Sequence, residues 1–348
     1  MTEVIADDVE VDLNMSYTGW EVTELEATTS RYNETDLVNA TVIDPDFSEE
    51  PTIGDFASLD IDGRRVFTGN VYDANEKEKK AKEDTGKFEV KLMNDLHKAK
   101  NTELSIAVEE PTPISELVQQ VCGEANLLCL TDLTWQQSPA RDALITVDFS
   151  NMMASEALDK LAERANADWF IDNYNLLRFG MPDAEVKKVE YIKSTSKFGP
   201  VEPPYRGVKV IPDGAVSNLG QQSAYRLVNY MPTTPKRALS FDDETGVWEI
   251  NEYYTNDPTY VHEDEQIKTF ETAEAVAEKF ARELLRQVQG GKLVIIGDAT
   301  IDERDVIELP DFLYNRRYFV GEIKHKMNDS DGFLTEIKLE GAVPEDNV

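Results

Sequence analysis

Apolar and polar residues alternate through most of the first hundred positions. VDLNMSY (11–17), EVTELEATT (21–29) and LVNATVID (37–44) place an apolar residue at nearly every second position, the pattern of strands with one buried face. SLDIDGRRVFTGNVYD (58–73) contains Asp62-Gly63, which predicts a tight hairpin turn. KFEVKLMNDLHKA continues the alternation, and the unit ends near Ala107. Short strands at regular spacing without a long helix predict a small barrel or sandwich over residues 1–108.

The period changes in residues 109–182. Thr112-Pro113 reads as a helix start, with Thr as N-cap, and Ile114, Leu117, Val118 and Val121 mark one face. A strand, ALITVDF, follows. Ser150 is placed to cap a second helix running through Asn166, in which Leu158, Leu161, Ala162 and Ala165 form a core-facing stripe. DWFIDNYNLLRFG then predicts a hairpin with its turn at Asp172 to Asn175. These elements make a compact inserted α+β module.

Prolines at 200, 203, 204, 212, 232, 235 and 258 punctuate residues 183–265 and predict loops between short edge strands, of which YRGVKVIPDG is one. Residues 266–348 regain a clear pattern. A helix opens at Thr269 or Thr272, buries Ala273, Val276, Ala277, Phe280, Leu284 and Val288, and ends at a Gly290-Gly291 C-cap. KLVIIGDATI and DVIELPDF follow as strands. The last hairpin sets Phe319, Gly321, Ile323 and Met327 on a dry face with Phe333, Thr335, Ile337 and Leu339. Glu322, Lys324 and Lys326 share the wet face with Glu336, Lys338 and Glu340.

One short pattern is written twice. GRRVFTGNV begins at Gly63, and NRRYFVGEI begins at Asn315, about 250 residues later. Arg64, Arg65, Phe67, Gly69 and Val71 correspond to Arg316, Arg317, Phe319, Gly321 and Ile323. The repetition predicts a duplicated β unit, with the module inserted between its copies. The two Arg pairs and their Phe partners, Phe67 and Phe319, are the candidate interface residues. Ordinary edge-strand charge is the competing role for the arginines.

Charge narrows the function classes. The net charge is −33, spread along the chain, which argues against sequence-specific binding of nucleic acid. It points to a high-salt setting, where the Debye length falls to about 3 Å at 1 M and carboxylate repulsion is screened. Against that, 21 of the 35 cationic residues are Lys. No stretch approaches the roughly 18 apolar residues of a membrane span, and the acidic N-terminus is no signal peptide.

Catalytic patterns are missing from the sequence. His97, His262 and His325 stand in no metal-binding spacing, and there is no nucleophile elbow, P-loop or dinucleotide fingerprint. His325 falls on an apolar strand face and reads as structural, whereas His262 opens an acidic run, HEDE, read as a solvated loop. Cys122 and Cys129 read as small core residues. Asp60-Ile61-Asp62-Gly63 and Asp329-Ser330-Asp331-Gly332 resemble calcium loops but lack the twelfth-position Glu, so turn chemistry explains them. With 68 acidic residues, no carboxylate pair can be singled out as an acid/base couple. No cofactor and no metal are expected.

The order of motifs resembles the baseplate hub, or tail hub, proteins of tailed phages and contractile injection systems, the late control protein D-like family. The resemblance is carried by Gly297-Asp298-Ala299, Asp305-Val306-Ile307, Tyr318 to His325 and Gly332 to Leu339 at the C-terminal end. SEALDKLAERANADW with its hairpin from Asp172 to Phe179 carries it in the middle, and Ile53-Gly54-Asp55 with Phe67 to Val71 near the start. It covers most of the chain outside about 200–265. Asn173-Tyr174 stands where the family turn often has Gly.

The resemblance implies an α+β, mostly β fold, with two tail-tube-like β-barrel domains around the inserted module. It also implies a homotrimeric ring at the distal end of a tail, in the baseplate. Its partners would be tail tube or distal tail ring proteins above and a spike, fibre or plug below. DNA would pass through an acidic lumen without specific binding. No lysozyme, peptidase or needle extension follows the second barrel, so the cell-wall-degrading versions are not expected. A virion-associated cell-envelope hydrolase and a host-adhesion module are the alternative readings.

Overall fold

A computed structural model describes residues 9–15, 21–30, 35–44, 51–79, 86–130, 144–180, 185–189, 191–196, 207–212, 224–227, 240–242, 247–249, 259–264, 270–286, 290–309, 317–328 and 330–343. The first unit contains β1 (Val11–Met15), β2 (Glu21–Ser30), β3 (Leu37–Asp44), β4 (Phe56–Ile61), β5 (Arg64–Lys79) and β6 (Gly86–Met93), then a short helix, α1 (Leu96–Asn101). The predicted alternation is realised. Leu25 and Ala27 of β2 and Val38, Ala40 and Val42 of β3 face a core with Leu59, Phe67 and Val90. Asp62 and Gly63 both take positive φ, 51° and 69°, the geometry of a two-residue hairpin whose twist matches its strands. The α1 helix, which carries His97, falls where continued alternation is expected.

The inserted module comprises β7 (Ala107–Pro113), α2 (Ile114–Glu124), β8 (Cys129–Leu130), β9 (Leu144–Asp148), α3 (Ala154–Ala165), β10 (Asp168–Ile171) and β11 (Leu177–Gly180). Both helix faces are as expected, but neither predicted cap forms. Thr112 lies in β7, and its hydroxyl donates to the Glu110 carbonyl, so α2 starts behind Pro113 without a side-chain cap. Ser150 lies in a turn closed by the Asp148 carboxylate, four positions before α3 begins. Cys122 is buried, and Cys129 packs half-buried against the module core.

The rest of the chain supplies β12 (Val186–Lys188), β13 (Ile192–Thr195), β14 (Gly207–Pro212), β15 (Ala224–Leu227), β16 (Ser240–Asp242), β17 (Val247–Glu249) and β18 (Thr259–Asp264). Then come α4 (Phe270–Arg286), β19 (Gly290–Ile296), β20 (Val306–Glu308), β21 (Arg317–Asn328) and β22 (Gly332–Val343). Gly290 and Gly291 open β19 instead of capping α4, because both pair with β22. His262 belongs to strand β18, beside β14, with Nε2 3.0 Å from a Glu163 carboxylate oxygen; it is not in a solvated loop. The α4 helix packs Ala273, Val276 and Ala277 against Val208 and Val210 of β14.

Twelve strands form one sheet. Within the first unit the order is β1-β4-β5-β6-β3-β2. The second unit reads β12-β20-β21-β22-β19-β13. Each strand of the second list stands in chain order where its counterpart stands in the first, so the duplication extends over six strands. One pairing differs: β1 runs antiparallel to β4, and β12 parallel to β20. The units are fused where β2 pairs with β21, from Leu25 opposite Met327 to Ser30 opposite Glu322. The fold is mostly β, as expected. The twelve strands form a continuous open sheet, and no closed barrel occurs among the described strands.

The final hairpin corrects the expected face assignment. Register shifts between Tyr318 and Phe319, and between Val320 and Glu322, reverse the phase along β21. Tyr318 and Val320 are therefore buried before the shift, Ile323 and His325 after it, and Phe319 is only half-buried. Phe67, its counterpart, is 2% exposed. Phe67→Ala is expected to destabilise the fold by about 3–5 kcal/mol through loss of buried area and a residual cavity. Phe319→Ala is expected to cost about 1 kcal/mol. Urea unfolding of the two variants checks the ranking, and equal losses would contradict the bulge assignment.

Candidate functional site: the fused sheet and its matching turns

The two copies of the motif share an ion pair but stand out of step: the Val71 amide donates to the Asp55 carbonyl and the Val320 amide to the Asp305 carbonyl, so Val320 and not Ile323 takes the place of Val71. In each copy the second Arg lies opposite a carboxylate on the preceding strand and binds it. Arg65 Nε donates to Asp60 Oδ1 at 2.6 Å, and Arg317 Nε to Glu308 Oε2 at 3.0 Å. The first Arg behaves differently: Arg64 is exposed, and Arg316 lies outside the described residues. Gly69 and Gly321 lie at positions where backbone or side chain approaches closely. A Cβ on Gly69 would stand 2.3 Å from the Met93 carbonyl oxygen, and one on Gly321 2.3 Å from Glu340 Cδ.

A second repeated feature escaped the sequence reading. Thr52–Asp55 and Asp302–Asp305 form the same turn before β4 and β20. In the first, the Asp55 amide donates to the Thr52 carbonyl at 3.0 Å, and the Thr52 amide to Asp55 Oδ2 at 3.2 Å. In the second, the Asp305 amide donates to the Asp302 carbonyl at 3.0 Å, and the Asp302 amide to Asp305 Oδ2 at 2.9 Å. Asp60 and Asp62 are likewise engaged in structure, by Arg65 and by the Glu10 amide. Asp329 lies outside the described residues, and among those described no group of three metal-ligating side chains converges.

Charge crosses the fusion seam on the wet face. Lys324 and Lys326 of β21 reach Glu26 of β2 at 3.1 and 3.8 Å. Lys326 also reaches Glu336 of β22 at 3.0 Å, and Lys292 of β19 binds the same carboxylate. Each such pair is worth at most about 1 kcal/mol, so the ladder sets register more than stability. A concavity of about 670 Å³ opens over this face, bordered by Glu24, Thr41, Glu89, Lys91 and Lys326. In a chain of net charge −33, this face carries alternating signs.

The dry side of the junction holds acids that no motif announced. Asp36, before β3, is buried; its Oδ1 accepts the Ser30 amide at 2.9 Å and its Oδ2 the Asn94 side-chain amide at 2.7 Å. Burial nevertheless pushes its carboxyl up to about 8. Glu303 is also buried, and burial together with the charges of Asp302 and Asp36 raises it well above the carboxylate range. Arg304 binds Asp302 and lies 4.9 Å from the Phe170 ring centre, so this turn touches the module as well. The module's hairpin also docks on the first unit: Thr68 donates to the Asn173 carbonyl at 2.7 Å, and the Asp95 amide to Asn175 at 2.8 Å. His325 is buried against Phe333, with Nδ1 3.0 Å from the Thr335 hydroxyl, and burial lowers it to about 4. Its burial agrees with its place on the apolar strand face.

These groups give a pH profile. An acid raised in the folded state binds its proton there and not in the unfolded chain, so Asp36 lowers stability as pH rises from about 4 to 8. His325 acts oppositely, with stability lost as pH falls from about 6.5 to 4. The two slopes oppose each other below about 6.5, and only the acids act above it. The melting temperature is expected to fall between pH 6.5 and 8.5, and by less in the double variant Asp36→Asn, Glu303→Gln. An unchanged slope in that variant would contradict the assignment. Gly69→Ala is expected to destabilise by about 1–3 kcal/mol, since a backbone carbonyl must move. In denaturant unfolding Gly321→Ala is expected to cost less, since the Glu340 side chain can swing away.

No protein-family model and no curated protein matches the chain. Similar solved structures exist. The 43 kDa tail protein of prophage MuSo2 from Shewanella oneidensis superposes with a TM-score of 0.67 at 13% identity, covering 98% of this chain and 99% of that one. The tail protein from Neisseria meningitidis MC58 gives 0.65 at 11%, covering 95% and 96%. An Escherichia coli component of the type VI secretion system, described as structurally similar to the T4 bacteriophage tail proteins gp27 and gp5, gives 0.54 at 7%, covering 96% and 76%. At these identities the likeness is one of fold, and it spans nearly the whole chain.

Proposed function

We propose that the chain is a structural tail hub: a homotrimer whose six similar sheet units form a ring at the distal end of a tail. The observation that carries this reading is the six-strand duplication in matching order, β1-β4-β5-β6-β3-β2 and β12-β20-β21-β22-β19-β13. Two equivalent units per chain and three chains per ring present six similar positions to a six-fold tube and three identical ones to a spike, fibre or plug. The fold shared with phage tail proteins over nearly the full length supports the same reading.

The ring would join a tail tube or distal tail ring protein to the tip and pass DNA without binding it specifically. If the wet face lines that passage, its lining is of alternating sign, not the acidic lumen that the resemblance implied. A high-salt setting remains the reading of the net charge. Of the six candidate interface residues, Phe67 serves its own core, and Arg65 and Arg317 are bonded within the chain. Arg64 is exposed and is the better candidate for contacts between subunits, whereas Arg316 lies outside the described residues. The hydrolase alternative gains nothing from the raised carboxyls, because Asp36 and Glu303 lie buried in a junction, whereas glycosidase chemistry needs its acid pair across an open cleft.

Light scattering of the purified protein tests the proposal. From low to molar salt, a mass of three chains is expected, with association strengthening as salt screens the carboxylates. A monomer or dimer at every salt and concentration would count against the ring. Replacing the exposed Arg64 by Glu is expected to shift the equilibrium toward monomer.

A further inference from the structure

A helix cap brings the two cysteines of the sequence together. Helix α2 ends in a left-handed turn. Asn126 takes φ 52°, its amide donates to the Gly123 carbonyl at 3.3 Å, and the Leu127 amide donates to the Cys122 carbonyl at 2.9 Å. These are the two bonds of a Schellman ending, which folds the chain back over the last turn of its helix. The returning segment enters β8, where Leu128 and Leu130 are 70% and 37% exposed and Cys129 between them packs inward. Strand alternation thus aims Cys129 at the helix the chain has just left. Cys122 is buried there and Cys129 half-buried. Both are free thiols, and the Cys122 thiol donates a hydrogen bond to the Cys129 sulfur.

We infer that Cys122 and Cys129 form a dithiol latch, a site of reversible disulfide formation that ties the end of α2 to the sheet of the inserted module. The oxidant is a low-molecular-weight disulfide, RSSR. The Cys129 thiolate attacks one sulfur of RSSR, forms a mixed disulfide and expels RS⁻. Cys122 then attacks the Cys129 sulfur, expels the second RS⁻ and closes the Cys122–Cys129 bond. The two cysteine protons pass to the two expelled thiolates, so two RSH appear for each RSSR reduced, and the cysteine pair gives up two electrons. The order of attack follows from the surroundings. The hydrogen bond from Cys122 stabilises the Cys129 thiolate and holds that thiol below its ordinary range, whereas the same bond and burial push Cys122 up. Cys129 also has the greater contact with solvent.

The strand that carries Cys129 defines what the latch would hold. β8 is a two-residue strand at the edge of the β10-β11-β8 sheet. Cys129 lies opposite Leu177 of β11, and the Leu177 amide donates to the Leu128 carbonyl at 2.8 Å. β10 and β11 carry the turn that docks on the first unit through Asn173 and Asn175. A covalent tie to α2 therefore secures the shortest strand of the sheet behind that docking turn. Disulfides persist in oxidising surroundings and are reduced inside most cells. The latch would stay open in a reducing cell and close in a particle outside one, and it does not depend on the ring.

The full chain is incubated with excess oxidised glutathione, freed of it, denatured, alkylated with iodoacetamide and weighed by mass spectrometry. The expected product carries no alkyl group and no glutathione, weighs less than the reduced chain by two hydrogens, and yields the Cys122 and Cys129 peptides joined. In Cys122→Ser, Cys129 is expected to keep a glutathione adduct, since no second thiol displaces it; an unmodified Cys129 there would overturn its role as the attacking thiol. The joined form is expected to melt a few degrees above the reduced form. A wild-type chain that keeps both thiols, stops at the glutathione adduct, or links between chains instead of within one would overturn the latch. So would a joined form that melts no higher than the reduced one.

Discussion

A strand at the edge of a sheet exposes a row of amides and carbonyls that must be paired, hydrated or covered. This chain answers that constraint at one seam, where β2 lies against β21 and turns two six-strand units into a single sheet. The rest of the structure is arranged around that pairing. Phe333 of the second unit enters the core of the first. The lysines of β21 reach across to Glu26, and the Asp302–Asp305 turn is enclosed between the first unit and the inserted module. A duplicated unit fused through one edge has an equivalent pair of edges left over, so the logic of the monomer points outward to an assembly.

The junction combines this packing with acids that hold their protons. Asp36 and Glu303 approach from different halves of the chain and are both buried, so each tolerates the other only while at least one is neutral. Both acids weaken the seam as pH rises from the acid range, whereas Glu336, held down by Lys292 and Lys326, weakens it as pH falls.

Much of the fold was legible in the sequence. Period-two alternation marked β2, β3 and β22, the Asp62-Gly63 pair marked its turn, and the helical stripes of α2 and α3 matched their buried faces. The RRxFxG repeat led to the idea of a duplication, but its copies do not superpose in the two units, since Val320 and not Ile323 takes the place of Val71. Its limits were physical. Bulges in β21 exchanged the roles of Tyr318 and Phe319, and no local pattern announces a bulge. Thr112 and Ser150 had the chemistry of caps but spent their bonds on turns and strands instead. The shared turn was hidden because Thr52 and Asp302 differ, and only the closing Asp55 and Asp305 agree. Asp36 and Glu303 were invisible among 68 acidic residues, since burial, not spacing, distinguishes them.

The central claim is that two similar units per chain close into a ring of six. Electron microscopy of the purified assembly viewed end-on tests it most directly. Six near-equal lobes around a central opening, with exact repetition at every second lobe, is the predicted image. A compact two-fold particle, or a three-lobed one in which the two halves of each chain occupy unlike positions, would contradict it.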